Sequence, residues 1–297
     1  MKTPERPFHA ADRLLHACDQ KQAPVCVGLD PVLDRLPATL GSLSPLDAIE
    51  RFCLAVIDSV ADIVPAIKPQ IACFERYGSQ GYAVYERVLD AGHQAGLYVI
   101  GDAKRGDIGT SSAHYAAGLL TAEEEGTSPC DALTVNSYLG MDGIEPFTQA
   151  AAQAGRGCFA LVRTSNPGGD RLQGLRLQDG RTVAEAVADL VSECGASFVG
   201  QRGYSLVGAV VGATKAEDAV SLRQRMPQQI FLVPGFGAQG GSAEGVRACF
   251  KPDRTGALIS ASRSVIYAYG AADTRWDEHI RKAAIEFSQQ VAEILDA

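Results

Sequence analysis

Short apolar runs alternate with longer amphipathic segments along most of the chain. Each run is rich in Val, Ile and Leu, ends in polar residues, and precedes a segment whose apolar residues recur at helical spacing. Eight runs are predicted as strands: residues 24–30, 64–69, 97–104, 131–136, 158–164, 206–212, 229–235 and 256–262. Runs that are apolar on both faces and are joined by helical crossovers indicate a parallel sheet covered on both sides.

The number of these units narrows the fold class. Eight strand–helix units are typical of a (β/α)8 TIM barrel, a fold of about 250 residues; a doubly wound open sheet is the alternative. We expect one α/β domain over residues 1–297, with a leading helix over residues 12–20 and a closing helix from Trp276 to Ile294. The polar, Gly-rich residues 166–181 follow the fifth strand and predict a loop over the barrel mouth.

Composition excludes several classes of protein. A net charge of −8 and a pI near 5.2 argue against a broad cationic surface for nucleic acid. The longest strongly apolar run, residues 206–213, is less than half as long as a membrane span. The first 17 residues carry charges throughout and contain no apolar core of a signal peptide. We therefore expect a cytoplasmic protein without a membrane partner. The eight cysteines form no C-x-x-C pair, which disfavours a disulfide framework or a zinc site.

Charged residues end the first three predicted strands. These are Asp30, Lys68, and Asp102 with Lys104, and barrel enzymes place their chemistry at this carboxyl end of the strands. Because strand side chains alternate faces, Asp102 and Lys104 should point the same way, into the mouth, while Asp107 follows on a loop. A structural ion-pair network is the alternative, but buried pairs are weak stabilisers, so their position favours function.

Glycine-rich sequence follows the seventh strand. Gly235, Gly237 and Gly240 match the spacing of a dinucleotide fingerprint, but no second βαβ half supports that interpretation. In a barrel, loops seven and eight form a recurrent phosphate site, where glycine lets backbone N–H groups approach phosphate oxygens. Arg263, after the eighth strand, would add a bidentate charged contact. We therefore expect a phosphate site here.

Six segments, taken in order, carry a resemblance that covers nearly the whole chain: VGLDP, AIKPQ, DAKRGDIGTS, RTSNPG, VPGFGAQGG and SASRSVIY. Together they resemble the orotidine 5'-phosphate decarboxylase family, in its longer bacterial subgroup, type 2. The resemblance implies conversion of orotidine 5'-monophosphate to UMP and CO2 in de novo pyrimidine biosynthesis, with no cofactor and no metal. It also implies a homodimer.

The resemblance further implies roles for the charged residues. Lys104 would donate a proton to C6 of the pyrimidine, and Asp102 would lie beside the departing carboxylate. Asp107 would enter the partner subunit's site across the dimer interface. Lys68 and Asp30 would complete the charge chain and hold the ribose hydroxyls.

The remaining roles concern the base and the phosphate. Ser165 would contact the pyrimidine amide, with Thr164 as the alternative because the 166–181 insertion departs from shorter family members. Gln239 and Arg263 would grip the phosphate. The other substrate-binding residues that the resemblance implies are Thr110, Pro234, Gly240 and Ser262.

The residues themselves suggest how such a reaction would run. Loss of CO2 from C6 leaves a carbanion that the ring cannot delocalise as a simple enolate, and no cofactor motif is visible in the sequence. Fixed positive charge from Lys104 is then the most economical source of stabilisation. Two alternatives remain. One is a Mg²⁺-dependent sugar-phosphate decarboxylase or aldolase of the same barrel group, which is disfavoured because Lys68 stands where an acid would help bind the metal. The other is a nucleotide-sensing module that performs no chemistry.

Overall fold

Eight parallel strands close into a barrel in the order of the chain. The structure, a computed structural model, describes residues 8–121, 129–212, 216–236, 242–270 and 272–297. The strands are β1 Val25–Leu29, β2 Ala66–Pro69, β3 Tyr98–Arg105, β4 Ala132–Val135, β5 Gly157–Arg163, β6 Val207–Val211, β7 Phe231–Pro234 and β8 Ala257–Ala261. Because β1 also pairs with β8, the predicted barrel is confirmed and the doubly wound open sheet is excluded.

Helices separate the strands and cover the outside of the barrel. In the described residues they are α1 Ala10–Lys21, α2 Pro45–Val60, α3 Ala72–Glu75, α4 Gly78–Gln94, α5 Gly109–Leu120, α6 Met141–Ala154, α7 Asp170–Gln173, α8 Val183–Gly195, α9 Ala216–Arg225, α10 Ala243–Cys249, α11 Arg263–Ile266 and α12 Trp276–Asp296. The predicted leading and closing helices are α1 and α12. No helix in the described ranges is both long enough and apolar enough to cross a membrane.

Local sequence signals explain where several helices begin. The Ser44 hydroxyl accepts a hydrogen bond from the Asp47 backbone N–H, and Pro45 occupies the first turn of α2. At α8, Thr182 and Glu185 form a capping box in which each side chain accepts from the other's backbone N–H. These contacts satisfy backbone donors that a helix N-terminus leaves unpaired.

Two apolar layers hold the barrel together. One lies between strands and outer helices, where Phe52 of α2 packs on Trp276 of α12 with ring centroids 5.6 Å apart. The other fills the barrel interior and includes Ile100, Phe159 and Leu258. Leu14 of α1 belongs to this interior layer, so α1 closes the end where the strands begin. The opposite, carboxyl end is left for polar side chains.

The 166–181 segment differs in part from the predicted loop. It contains a short 3-10 helix, Pro167–Gly169, followed directly by α7. Pro167 fits the first turn because its fixed φ suits a helix start and its missing N–H would be unpaired there. The segment still begins at the carboxyl end of β5. That the whole chain forms one domain stays a prediction.

Candidate active site

A chain of three charged side chains lies at the carboxyl ends of β2 and β3. The Lys68 ammonium donates to Asp102 Oδ2 at 2.6 Å, and the Lys104 ammonium donates to Asp102 Oδ1 at 2.5 Å. Lys68 is 8% exposed and Asp102 5% exposed, whereas the side chain of Lys104 is 46% exposed. The two lysines therefore share one buried carboxylate, and of the two only Lys104 has a substantially exposed side chain.

This pairing keeps the buried groups charged. Burial works to raise the pKa of Asp102, but Lys68 and Lys104 outweigh it and hold that pKa at about 2. Burial likewise works to lower the pKa of Lys68, but Asp102 and then Asp30 outweigh it and raise that pKa. Lys68 and Asp102 are therefore both ionised at neutral pH.

The backbone of β3 is irregular where it carries these residues. Gly101 is in register with Leu133 and Arg105 with Val135, so β3 uses four steps where β4 uses two. Lys104 lies within this bulge at a φ of 47°, in the left-handed region that is strained for a residue with a side chain. Asp102 and Lys104 do meet, as expected, but not through the regular strand alternation on which that expectation depended.

A threonine of β4 fills the gap in the ladder. The Thr134 hydroxyl accepts hydrogen bonds from the backbone N–H groups of Ala103, at 3.0 Å, and Lys104, at 2.9 Å. It donates to Asp102 Oδ1 at 3.0 Å. Thr134 is 1% exposed, so these contacts are shielded from water.

Asp30 follows β1 on the same end of the barrel. Its backbone carbonyl accepts a hydrogen bond from the Tyr267 hydroxyl at 2.9 Å, and that hydroxyl accepts from the Val32 backbone N–H at 2.7 Å. Asp30 Oδ1 and Ser262 Oγ are both buried without a hydrogen-bond partner among the described residues. Each is thus a polar atom at the strand ends that a bound ligand can satisfy.

The end of β5 is organised by a buried arginine. Arg163, 4% exposed, donates from Nε to Asp218 of α9 at 2.8 Å and also pairs with Asp170 of α7. Gln173 accepts from Arg163 Nη1 at 3.2 Å and from the Thr164 backbone N–H at 2.9 Å. The start of the 166–181 insertion is thereby tied both to its own strand and to the helix after β6.

Thr164 and Ser165 stand at the start of that insertion. The Thr164 hydroxyl donates to Asn166 Oδ1 at 2.6 Å and accepts from Gln173 Nε2 at 2.9 Å. Ser165 is half-buried and packs beside Gly212 after β6, where an added Cβ would lie 3.1 Å from Ser165. Both residues are at the barrel mouth, as the sequence predicts.

Asp107 lies beyond β3, outside the lysine–aspartate chain. Its Oδ1 accepts from the Ile108 backbone N–H at 2.8 Å. Thr110 is exposed in the first turn of α5. Exposed apolar side chains surround this region: Ile108, Tyr115, Tyr138 and Leu139.

The predicted phosphate residues are described only in part. Pro234 ends β7 beside Ser260 of β8, and Arg263 is exposed at the start of α11. Gly237, Gln239 and Gly240 lie outside the described residues. Pro234, Ser262 and Arg263 therefore lie at the carboxyl ends of neighbouring strands.

Three residues of this region were missed by sequence reasoning: Thr134, Arg163 and Tyr267. Each left a signal. Thr134 is a polar residue inside an apolar strand, Arg163 is a charge at a strand end beside the predicted base contact, and Tyr267 closes the SASRSVIY segment. Across the described ranges, no group of three or more His, Cys, Asp or Glu side chains is arranged to hold a metal ion.

Comparisons with known proteins agree in family and fold. A family model described as "Orotidine 5'-phosphate decarboxylase / HUMPS family" matches residues 23–274. The chain is 44% identical over 282 residues to an orotidine 5'-phosphate decarboxylase from Rhodopirellula baltica, covering 90% of this chain and 93% of that protein. It is 38% identical to one from Clostridium novyi, covering 94% and 97%. A crystal structure of a protein from Streptomyces avermitilis, titled as a putative orotidine 5'-phosphate decarboxylase, is 35% identical with a TM-score of 0.82, covering 99% and 98%.

Proposed function

Because the chain belongs to the orotidine 5'-phosphate decarboxylase / HUMPS family, we propose that it decarboxylates orotidine 5'-monophosphate to UMP and CO2 in pyrimidine biosynthesis. The relatives from Rhodopirellula and Clostridium carry that name over more than nine-tenths of their lengths. The observation that carries the proposal is the Lys68–Asp102–Lys104 chain at the barrel mouth. It supplies fixed positive charge where the reaction develops negative charge.

Lys104 is the proton donor in this proposal. As the bond between C6 and the carboxylate breaks, CO2 leaves and the electron pair stays on C6. The Lys104 ammonium stabilises that pair and then transfers a proton to C6, and solvent reprotonates the amine. Its partial exposure at the mouth supports this role, since an acid must reach both substrate and water.

Asp102 and Lys68 hold the donor in place. Asp102 anchors Lys104 from one carboxylate oxygen while Lys68 neutralises the other. Because Asp102 stays ionised, its negative charge lies next to the place where the substrate carboxylate leaves. Lys68 supports the chain from the buried side.

Asp30, Ser262 and Arg263 bind the ribose and phosphate in this proposal, together with Pro234, Gln239 and Gly240. The unpartnered Asp30 Oδ1 and Ser262 Oγ support it, because a buried oxygen without a partner favours a ligand that brings one. Arg263 offers a fork of N–H donors suited to a phosphate. Ser165 is assigned to the base, with Thr164 as the alternative, because both residues lie directly after β5 at the carboxyl end of the barrel.

The active form in this proposal is a homodimer in which Asp107 serves the partner's site, and Thr110 binds substrate. Two features support this: the Asp107 carboxylate is bound to its neighbour Ile108 rather than to Lys104, and Ile108, Tyr138 and Leu139 present apolar surface nearby, with Tyr138 78% exposed. Exposed apolar patches of this kind mark interfaces. We also expect the enzyme to act in the cytoplasm and without a cofactor.

The test is incubation of the purified protein with orotidine 5'-monophosphate in excess EDTA, following loss of the orotate absorbance. We expect full turnover in chelator and release of CO2 in equal amount to UMP. Activity that disappears in EDTA and returns with Mg²⁺ would instead support the metal-dependent sugar-phosphate branch. Binding of UMP without turnover would indicate a nucleotide-binding module.

A further inference from the structure

Thr134 uses its hydroxyl to the full. A threonine hydroxyl has one proton to donate and two lone pairs that accept. In this protein the proton has two acceptors within reach, Asp102 Oδ1 at 3.0 Å and the more distant Gly101 carbonyl at 3.5 Å, and the lone pairs accept from the backbone N–H groups of Ala103 and Lys104. One buried side chain therefore contacts the carboxylate of the candidate site and the backbone of the candidate proton donor.

The backbone needs this support because β3 bulges away from β4. Between the pairs Gly101–Leu133 and Arg105–Val135, the two strands are out of register. The N–H groups inside the bulge have lost their ladder partners, and an unpaired buried N–H is costly. Thr134 supplies the missing acceptor from the opposite strand.

The same bulge holds Lys104 at a φ of 47°. A lysine in this region is strained, and such a conformation persists only where its surroundings impose it. The hydrogen bond from the Lys104 N–H to Thr134 lies directly on the strained residue. With the backbone in this conformation, the Lys104 side chain folds back towards Asp102, two residues earlier in the chain. Its Nζ lies 2.5 Å from Asp102 Oδ1.

We propose that Thr134 is a positioning residue for decarboxylation, one that sets the place of the Lys104 ammonium through the backbone and the orientation of Asp102 through the carboxylate. This inference rests on the proposed function and adds a residue of β4 to the lysine–aspartate chain of β2 and β3. Thr134 does not touch the substrate, so it acts on kcat through Lys104. Reaction rates are sensitive to such placement, because a shift of about 1 Å can cost about 100-fold.

The experiment compares Thr134→Val with Thr134→Ser. Valine keeps the shape and removes the hydroxyl, whereas serine keeps the hydroxyl and loses a methyl group. We expect Thr134→Val to lower kcat by about 10- to 100-fold, with little change in KM or in UMP affinity, and Thr134→Ser to restore most of the rate. A merely structural role would lower stability without separating kcat from KM.

Thr148→Val is the matched control. Thr148 is also a buried threonine, and its hydroxyl donates to the Ile144 carbonyl of α6 at 3.2 Å, away from the strand ends. We expect it to keep wild-type kcat. Should Thr134→Val fail to fold, Thr134→Ser and Thr134→Cys make the same comparison, since a thiol is a much weaker hydrogen-bonding group.

Three outcomes would overturn the inference: wild-type kcat in Thr134→Val, no recovery in Thr134→Ser, or an equal loss in Thr148→Val. A crystal structure of Thr134→Val adds a measurement independent of turnover. We expect Lys104 to leave its left-handed conformation and its contact with Asp102, and an unchanged Lys104 would contradict the proposal. If the wild-type protein fails to turn over orotidine 5'-monophosphate, the proposed function fails, while this structural comparison still decides the role of Thr134.

Discussion

Lys68 and Lys104 contact the same carboxylate, but the two side chains differ strongly in burial. Lys68 is buried between Asp102 and the charge of Asp30, and its raised pKa makes it a poor donor. Lys104 has nearly half of its side chain exposed. This difference in burial, rather than a difference in residue type, is the reason why we propose Lys104 as the proton donor.

We predict that Lys104→Ala abolishes turnover while UMP still binds. General acid–base groups contribute about 10²- to 10⁴-fold, and Lys104 also supplies the charge beside C6, so the loss in kcat should be at least at the upper end of that range. Stopped assays and UMP titration measure the two effects. The control is Lys282→Ala, because Lys282 lies on α12 with a side chain that is 74% exposed. If Lys104→Ala keeps a tenth or more of the wild-type kcat, the assignment is contradicted.

Asp131 forms a second charged cluster, at the opposite end of the barrel. Its carboxylate accepts from Arg13 at 2.6 Å, Arg156 at 3.0 Å and the Val99 backbone N–H at 2.9 Å, and it lies 3.2 Å from His93 Nε2. These contacts tie α1, α4 and the starts of three strands together. A cluster at this end of a barrel serves stability.

The pKa of Asp131 makes that role testable. Burial works to raise the pKa, but the hydrogen bond from His93 and the charge of Arg13 outweigh it and lower the pKa from 3.8 to about 2. A carboxyl group whose pKa is lowered by folding stabilises the protein above the unfolded pKa, and that contribution disappears as pH falls through the folded pKa. The stabilisation by Asp131 is therefore lost as the pH falls from about 4 to about 2.

We predict that Asp131→Asn lowers the free energy of unfolding at pH 7 by at least about 2 kcal/mol, the value of the lost pKa shift. The difference from wild type should shrink as the pH falls from 7 to 3, because the carboxyl group of the unfolded wild-type chain takes up a proton below about pH 4 while the folded one is still ionised. Urea unfolding at both pH values measures this. Asp277→Asn, in the exposed first turn of α12, should have little effect at either pH, and a pH-independent difference for Asp131→Asn would contradict the argument.

At the scale of elements, apolar runs predicted all eight strands to within about two residues, because a buried parallel strand needs little more than such a run. The bulge in β3 was not predictable in this way. It depends on which residue of β4 lies opposite, and Thr134 contacts residues 30 or more positions earlier in the chain. The left-handed backbone of Lys104 is likewise set by this pairing rather than by local preference.

The structure within the 166–181 insertion was likewise not predictable from local sequence. Its polar, Gly-rich composition predicted a loop, and its position after β5 placed it at the barrel mouth. The order within it comes from Arg163, which joins Asp170 and Gln173 of the insertion to Asp218 at the start of α9. Pairing between two separate loops leaves no periodic signal in the sequence.

We predict that Arg163→Lys weakens substrate binding more than it slows the chemical step. An ammonium group cannot reproduce the fork that reaches three partners, so the segment with Thr164 and Ser165 loses its anchor. Because we propose that this segment contacts the base rather than C6, the effect should appear mainly as a higher KM, about 10-fold or more for 1.4 kcal/mol of lost binding.

The control for Arg163 is Arg181→Lys, in the same insertion. Arg181 pairs with Asp179 and Asp189, away from the strand end, and we expect its kinetics to match wild type. Steady-state assays over a range of substrate concentrations separate KM from kcat. A pure loss of kcat in Arg163→Lys, or an equal rise of KM in both variants, would show that Arg163 does not position the base contact.

At the scale of the whole molecule, the two ends of the barrel carry different groups of charged residues. The end where strands begin is closed by α1 and by the Asp131 cluster, while the carboxyl end holds the lysine–aspartate chain together with Pro234, Ser262 and Arg263, which we propose bind the ribose and phosphate. Asp107 is the exception, because it lies near the exposed apolar residues Ile108 and Leu139 and not within its own subunit's chain. In the proposed homodimer, the Asp107 of a second copy completes the site.

We predict that Asp107→Ala and Lys104→Ala, each nearly inactive alone, recover activity when mixed. A mixed dimer holds one site with Lys104 from one subunit and Asp107 from the other, and one site lacking both. At equal amounts half of the dimers are mixed, so recovery should approach about one quarter of wild-type activity. Native mass spectrometry of tagged subunits confirms exchange, and Lys104→Ala mixed with a variant carrying both substitutions is the inactive control. Confirmed exchange without recovery would mean that each site is built from one chain.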